Sequence, residues 1–183
     1  VSLEDPQAPV FDVATAGYPT KGNPNAKVTL VEFADYQCPH CKQAYQLSKK
    51  LLAPYLDRIR YVYMDFPINR SGISLKVAEG AVCADQQGKF WQFHDLAFEN
   101  QKSLNSDSPK AFADQLGLDL TQFDSCYQSE ATAAKVKRSE QQAIAAGVTG
   151  TPSFFLNGYK LELRNFQVDM VRHLEDALAT SQE

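Results

Sequence analysis

The stretch that decides the fold runs from Val28-Thr-Leu-Val-Glu-Phe33 to Cys38-Pro-His-Cys41. Its first part is a short apolar run with β-branched members, a pattern that predicts a strand buried on both faces. Pro39 suits the first position of a helix, because the N–H that proline lacks would have no partner there. A helix is therefore predicted from the cysteine motif to about Ala53, just before a proline that ends it.

Three further stretches have strand character. Arg60-Tyr-Val-Tyr-Met-Asp-Phe66 ends at a proline, and Ser153–Leu156 lies much later in the chain. Asn157-Gly158 is the dipeptide most typical of a tight hairpin, so Tyr159–Leu163 is predicted to pair with the strand before it. Apolar residues then recur every four positions, which predicts a C-terminal helix. Helix-capping side chains are predicted at Ser108, Asp119, Ser129 and Asn165.

The order of these elements predicts an α/β fold. Residues 72–147 carry helix signals throughout, so the chain reads β-α-β, a helical block, then β-β-α. We expect one α/β domain formed by residues 27–71 and 148–183, with residues 72–147 as an all-helical insertion. Residues 1–26 are rich in proline and glycine and are predicted to be an extended leader without regular structure.

Composition excludes some classes of function. The 183 residues are 44% hydrophobic and 22% charged, which is the balance of a soluble globular protein. A net charge of -4 argues against nucleic acid as a partner, because phosphate binding needs clustered Lys and Arg. No stretch approaches the ~18 consecutive apolar residues of a membrane helix. No signal-peptide pattern is present. Either the chain is cytosolic, or a targeting segment was already removed.

The two cysteines of the motif have the spacing of a redox pair. Three residues apart at a helix start, Cys38 and Cys41 lie on one face within reach of a disulfide. Unpaired N–H groups and the helix dipole favour a thiolate at Cys38, which lowers its pKa. His40 can add a positive charge or a hydrogen bond. Cys41, a turn further in, is expected to be more buried and less ionised, which makes it the resolving sulfur.

Other uses of the motif remain open at this stage. A Cys-x-x-Cys pair also forms structural disulfides and half of many zinc sites. Zinc would need two more ligands, and the remaining candidates form no second close pair: Cys83, Cys126, His94 and His173. The strand before the motif and the helix after it favour redox chemistry, for which neither a metal nor another cofactor is predicted.

Glu32 is a candidate proton carrier. A charged residue in a strand usually faces water, but here Val28 and Leu30 share its face. On a buried face the carboxyl would be desolvated, which raises its pKa and suits it to carry a proton. It precedes Cys38 by six residues, so we expect it beneath the disulfide, where it could accept the proton of Cys41.

Thr151-Pro152 opens the predicted third strand. A proline is tolerated at the first position of a strand without any further role. Alternatively, Pro152 is a cis-proline whose loop lies against the sulfurs. In that case the backbone of Thr151 could bind an extended peptide, as in strand addition.

Three stretches together resemble the DsbA-like branch of the thioredoxin superfamily: Val31-Glu-Phe-Ala-Asp-Tyr-Gln-Cys-Pro-His-Cys41, Gly88-Lys-Phe-Trp-Gln-Phe-His-Asp95 and Val148-Thr-Gly-Thr-Pro-Ser-Phe-Phe-Leu-Asn-Gly158. The resemblance implies a thioredoxin fold with a helical domain inserted after the second strand. It also implies a bacterial periplasmic or extracytoplasmic location, and a role in oxidising reduced, newly exported polypeptides.

The resemblance also implies roles for single residues. Cys38 would be the nucleophile, Cys41 the resolving thiol, Glu32 the buried acid and Pro152 the cis-proline. Pro39-His40 is the dipeptide of strongly oxidising members. Thr at position 151 is a departure from the best-known oxidase and is frequent in isomerase-type relatives.

The predicted function is a monomeric dithiol oxidase, reoxidised by a membrane partner similar to DsbB. A reductase or isomerase on the same fold, and a redox-inert polypeptide-binding module, are the alternatives. A structural bridge is favoured between Cys83 and Cys126, since an exporting compartment would oxidise an accessible pair. Two buried free thiols or a second redox couple are the other interpretations.

Overall fold

The centre of the protein is one mixed β-sheet. The computed structural model describes residues 8–181, and this part of the chain contains the strands β1 (Thr20–Gly22), β2 (Val28–Ala34), β3 (Ile59–Asp65), β4 (Ser153–Leu156) and β5 (Tyr159–Lys160). Their spatial order is β1-β3-β2-β4-β5. β2 and β3 are parallel, whereas the other neighbouring strands are antiparallel.

Helices cover the sheet and fill the segment between β3 and β4. Those of the described residues are α1 (Pro39–Leu51), α2 (Ile73–Gln86), α3 (Phe90–Glu99), α4 (Ser108–Gln115), α5 (Leu120–Tyr127), α6 (Glu130–Ala145) and α7 (Phe166–Thr180), with short 3-10 turns at Ala53–Tyr55 and Gln101–Ser103. This order confirms the predicted thioredoxin-like α/β fold, in which helices are inserted after β3, the second strand of the β-α-β unit. Within residues 8–181, no helix is long and apolar enough to cross a membrane.

Three of the four predicted caps are confirmed, whereas Ser108 is the first residue of α4 and Asp107 occupies the N-cap. The side chains of Asp119, Ser129 and Asn165 accept hydrogen bonds from backbone N–H groups in the first turns of α5, α6 and α7. Each therefore satisfies an N–H that the helix itself leaves without a partner. α1 ends at Leu51, slightly before the predicted end, and the chain continues into a 3-10 turn.

Two predicted elements need correction. The leader was expected to lack regular structure, yet Thr20–Gly22 forms an edge strand along β3. Its prolines flank the strand rather than interrupt it, and an edge strand needs partners on one side only. Residues 1–7 of that leader lie outside the described residues. The strand predicted over Tyr159–Leu163 is only two residues long, although the Leu161 N–H still donates a hydrogen bond to the Phe154 carbonyl just beyond it.

β2 is the strand that positions the site. Six of its seven residues are buried, which confirms a strand covered on both faces. Leu30 belongs to an apolar cluster with Ala44 of α1 and Leu174 of α7. Phe33, on the opposite face, packs in a cluster that includes Ala143 of α6. The strand is therefore held between helices, and its C-terminal end leads directly to the cysteine motif.

Candidate active site

Cys38 occupies the N-cap of α1, and Pro39 is the first helical residue. Its backbone is extended, with φ −75° and ψ 120°, so the side chain projects at the end of the helix. Both cysteines of the motif are free thiols, and they differ in exposure. Cys38 is partly buried, whereas Cys41 is fully buried.

The environment of Cys38 stabilises its thiolate. A hydrogen bond from the Cys41 thiol lowers the pKa of Cys38 to about 5, against an opposing effect of burial. Thr151 and the backbone N–H groups of Cys41 and His40 lower it further. Because N–H groups at a helix start favour an anion, the sulfur is ionised at neutral pH.

Cys41 has the opposite character. Burial is the main cause that raises its pKa, and its hydrogen bond to the Cys38 sulfur raises it further. The backbone N–H of Asp35 lies 3.5 Å from its sulfur. The site therefore holds one thiolate and one protonated thiol at neutral pH, which is the division that thiol–disulfide exchange requires.

Pro39 and His40 lie exposed beside these sulfurs. The His40 backbone N–H is among the groups that lower the pKa of Cys38. The imidazole instead borders a groove formed with Thr151 and Pro152. The hydrogen bond expected from His40 therefore comes from its main chain.

The loop before β4 lies against the redox pair. The peptide bond between Thr151 and Pro152 is cis. The Thr151 carbonyl oxygen lies 3.4 Å from Cys38 Sγ, at hydrogen-bond distance for a thiol. Beside this loop, a groove of about 510 Å³ extends from α1 towards the start of α7. Its lining residues include Leu47, Leu161 and Phe166.

Glu32 is buried, with 2% of its surface exposed. Burial raises its pKa to about 7, and a hydrogen bond from the Tyr61 hydroxyl to Oε2 opposes that shift. The carboxyl is therefore poised between its two protonation states near neutral pH. Transfer of the Cys41 proton to Glu32 stays a prediction.

Sequence reasoning missed two polar groups that hold the motif. The Asp35 carboxylate accepts hydrogen bonds from the backbone of Gln37 and Asn69, and from the Ser74 hydroxyl. Gln101 Nε2 donates to the carbonyls of Tyr36 and Cys38 at 2.8 and 2.9 Å. Asp35 was detectable as a second acid next to the strand, but no local signal links residue 101 to the motif.

The other two cysteines are bonded to each other. Cys83 of α2 and Cys126 of α5 form a disulfide across 43 residues of sequence, which confirms the predicted bridge. His94, one of the zinc candidates, is buried in ring contact with six aromatic residues. Within residues 8–181, no three His, Cys, Asp or Glu side chains are grouped so that they could hold a metal ion.

A Cys-x-x-Cys pair at the start of a helix, opposite a cis-proline on a thioredoxin-like sheet, defines the class of thiol–disulfide oxidoreductases. A sequence profile of the family described as Thioredoxin matches residues 15–176. The chain belongs to the thioredoxin family, and its relatives place it in the DsbA-like branch.

Solved structures with the same architecture carry related functions in their names. A thioredoxin-like oxidoreductase from Silicibacter pomeroyi DSS-3 is 30% identical, with a TM-score of 0.74 over 90% of this chain and 92% of its own. The thiol-disulfide exchange protein alpha-DsbA2 from Wolbachia pipientis is 25% identical, with a TM-score of 0.77 over 87% of this chain and 86% of its own.

Curated relatives are much longer. The Na(+)/H(+) antiporter NhaA 3 of Salinispora tropica is 35% identical over 139 residues, which are 75% of this chain and 21% of that protein. The chain thus spans about a fifth of the length of the curated relatives it matches.

Proposed function

We propose that this protein is a dithiol oxidase that transfers the Cys38–Cys41 disulfide to reduced polypeptides. The observation that carries the proposal is the contrast between the two sulfurs, since the pKa of Cys38 is lowered to about 5 while that of Cys41 is raised. A stabilised Cys38 thiolate is a good leaving group and favours the reduced enzyme. Both effects make the disulfide a strong oxidant.

The reaction begins from the oxidised enzyme. A substrate thiolate attacks Cys38 Sγ, the bond between Cys38 and Cys41 breaks, and the electron pair leaves on Cys41, which takes up a proton. A second substrate thiolate then attacks the substrate sulfur of the mixed disulfide, and Cys38 leaves as a thiolate. The substrate loses two electrons and gains a disulfide, while the enzyme ends as the dithiol.

The groove beside Cys38 suits an extended polypeptide as substrate. The Thr151 carbonyl faces the reacting sulfur, and the groove has apolar walls at Leu47 and Phe166. Backbone hydrogen bonds at the cis-proline loop would select an extended chain rather than a particular sequence. This supports reduced, unfolded exported proteins as the substrate class.

We place the protein in a bacterial periplasm or another extracytoplasmic compartment. The Cys83–Cys126 disulfide supports this, because structural disulfides persist in oxidising compartments and are rare in the cytosol. A monomer that oxidises many substrates also needs a partner to restore its disulfide. A membrane protein similar to DsbB is the proposed oxidant of the reduced pair.

Reductase or isomerase activity is the second candidate, and the residue at position 151 favours it. Thr151 lies where relatives that isomerise disulfides often carry threonine, and its carbonyl contacts Cys38. A redox-inert binding module is the third candidate function, but a protein of that kind would not need a stabilised thiolate beside a protonated thiol.

The reduction potential of Cys38–Cys41 tests the proposal. The protein is equilibrated in glutathione buffers, and its free thiols are counted by mass after alkylation. A potential above roughly −150 mV is expected for a dithiol oxidase, whereas one below roughly −230 mV would identify a reductant similar to thioredoxin. A Cys38–Cys41 pair that forms no disulfide in any buffer would support the inert module.

A further inference from the structure

A second cavity lies on the far side of α1 from the cis-proline groove. It opens between β1, α1 and α3, and its walls include Lys21, Ser48 and Asp95. Tyr61 of β3 also lines it. The cavity volume is about 70 Å³. Since one water needs roughly 10–15 Å³ by this measure, the space holds more than one water molecule.

Polar atoms in the walls suit water. Ser48 is only 6% exposed, and its hydroxyl has no hydrogen-bond partner among the described residues. A buried hydroxyl without a partner is strongly disfavoured, so a water beside it would remove that penalty. At the rim, Lys49 Nζ pairs with Asp95 Oδ2 at 2.9 Å, which keeps the entrance polar.

Tyr61 connects this cavity to the buried acid. Its ring is in the wall of the cavity, and its hydroxyl donates a hydrogen bond to Glu32 Oε2. One side chain therefore hydrogen-bonds to the buried acid and borders the cavity.

We propose that Tyr61 relays protons between Glu32 and water in the cavity, so that Glu32 can accept a proton from Cys41 in one turnover and release it before the next. This inference rests on the proposed thiol–disulfide exchange. Tyr61 acts through Glu32 and contacts neither substrate nor the reacting sulfurs, so it is a positioning residue for proton transfer.

The proton balance requires no charged tyrosine. When Cys41 closes onto a mixed disulfide formed at Cys38 during reoxidation, its thiol proton moves to the Glu32 carboxylate and the oxidant's sulfur leaves as a thiolate. Glu32 then passes a proton to Tyr61 Oη while the Tyr61 hydroxyl gives its own proton to a water. Glu32 returns to the carboxylate, and the solvent gains one proton for each disulfide formed.

The groups around Glu32 leave Tyr61 as its hydrogen-bonding partner. β4 places Phe154, an uncharged residue, opposite Glu32. Burial lowers the pKa of His94 on α3, which keeps its ring neutral. The titratable or charged groups on the elements packed around Glu32 and the cavity include Tyr63 of β3, which pairs with Glu32 in the sheet, Asp65 at the end of β3, Tyr36 after β2, Cys41, Tyr45 and Lys49 of α1, Lys21 of β1, and His94 and Asp95 of α3.

Closure of the disulfide tests the relay directly. The reduced protein is mixed with excess oxidised glutathione between pH 5 and 9, and acid-quenched samples are resolved by mass into dithiol, Cys38–glutathione mixed disulfide and closed disulfide. Formation of the mixed disulfide needs only Cys38, whereas closure needs Cys41 to lose its proton. The rate of mixed-disulfide formation therefore reports on Cys38, and the rate of closure reports on proton loss from Cys41.

Tyr61→Phe keeps the ring and removes the hydroxyl. It removes a hydrogen bond that favours the carboxylate, so the inflection in the closure rate moves up by about one pH unit, and closure at pH 7 slows about fivefold. Mixed-disulfide formation is unchanged. Tyr63→Phe is the matched control, since Tyr63 is equally buried on the same strand but neither bonds to Glu32 nor lines the cavity. Closure in this control keeps the wild-type profile.

A second variant approaches the relay from the solvent side. Ser48→Val fills the cavity while leaving the Tyr61–Glu32 hydrogen bond in place, and it should slow closure without affecting mixed-disulfide formation. Wild-type closure rates in both Tyr61→Phe and Ser48→Val would overturn the relay, as would equal slowing in Tyr61→Phe and Tyr63→Phe. If the wild-type protein itself forms no mixed disulfide, the proposed function fails rather than the relay alone.

Discussion

The carbonyl oxygen of Thr151 lies 3.4 Å from Cys38 Sγ, although 113 residues separate the two in the chain. This contact joins the two halves of the site, the redox helix and the cis-proline loop. The contact therefore brings the cis-proline loop, which lines the groove beside α1, to within hydrogen-bond distance of the reactive sulfur.

Replacing each cysteine of the pair separates their roles. Cys38→Ser should abolish exchange, because it removes the attackable sulfur. Cys41→Ser should accumulate mixed disulfides with disulfide-containing substrates, because the Cys38 thiolate attacks the substrate disulfide, one substrate sulfur leaves as a thiolate, and no second enzyme thiol can close onto Cys38. Non-reducing electrophoresis followed by mass analysis detects the adducts. A Cys38→Ser protein that still oxidises substrate would rule out the mechanism.

The reactivity of Cys38 should persist at acidic pH. Its pKa is lowered to about 5 by the hydrogen bond from Cys41 and by helix N–H groups, so alkylation should slow only as pH falls through about 5. Cys41→Ala removes the largest of these causes, and the inflection should move to higher pH. Iodoacetamide labelling rates measure both. An inflection near the ordinary thiol value of 9 in the wild-type protein would contradict this assignment.

Glu32 should make the protein less stable as pH rises. Its pKa is raised from 4.5 to about 7, so the stability it contributes is complete below pH 4.5 and is lost as pH rises through 7. The shift corresponds to about 3 kcal/mol of unfolding free energy.

Glu32→Gln should lack this loss and be more stable than wild type at pH 8. Asp65, whose pKa burial also raises to about 7, acts in the same pH window. Urea unfolding should therefore be compared as the difference between wild type and Glu32→Gln at each pH. A difference that does not change with pH would refute the buried, titrating carboxyl.

Gln101 should matter for the site as well as for stability. Gln101→Ala removes two hydrogen bonds to the loop at the helix start, which costs about 2 kcal/mol, and a looser N-cap should raise the pKa of Cys38. Gln87→Ala is the matched control, because that side chain makes two hydrogen bonds with the Asp119 backbone away from the site. Both variants should lose stability, but only the first should shift the thiol titration.

The Cys83–Cys126 bridge should stabilise the helical insertion without acting in exchange. Replacing both residues by Ala should lower the unfolding free energy by about 4 kcal/mol, because a closed loop spanning 43 residues restricts the unfolded chain. The reduction potential of Cys38–Cys41 should stay unchanged. A large shift in that potential would instead assign the second disulfide a regulatory role.

Local chemistry in the sequence was enough to predict the redox helix. The apolar run of β2, the proline after Cys38 and the cysteine spacing depend on neighbours within one or two turns. The burial of Glu32 could be predicted from strand alternation in the same way, since Val28 and Leu30 share its face. Caps such as Asn165 belong to this group, because their partners lie three residues away.

Contacts between distant segments were decided only by the tertiary structure. Nothing near Gln101 in sequence indicates that it holds the Cys38 carbonyl, and nothing near Thr20 indicates an edge strand on β3. Tyr61 was visible as a strand residue, but its hydrogen bond to Glu32 depends on the parallel pairing of β2 and β3. The sequence thus determined the reactive pair and the elements that carry it. The order of the strands and the packing of the inserted helices decided which groups surround the reactive pair. Those contacts join segments far apart in sequence, which come together only when the whole chain buries its apolar side chains.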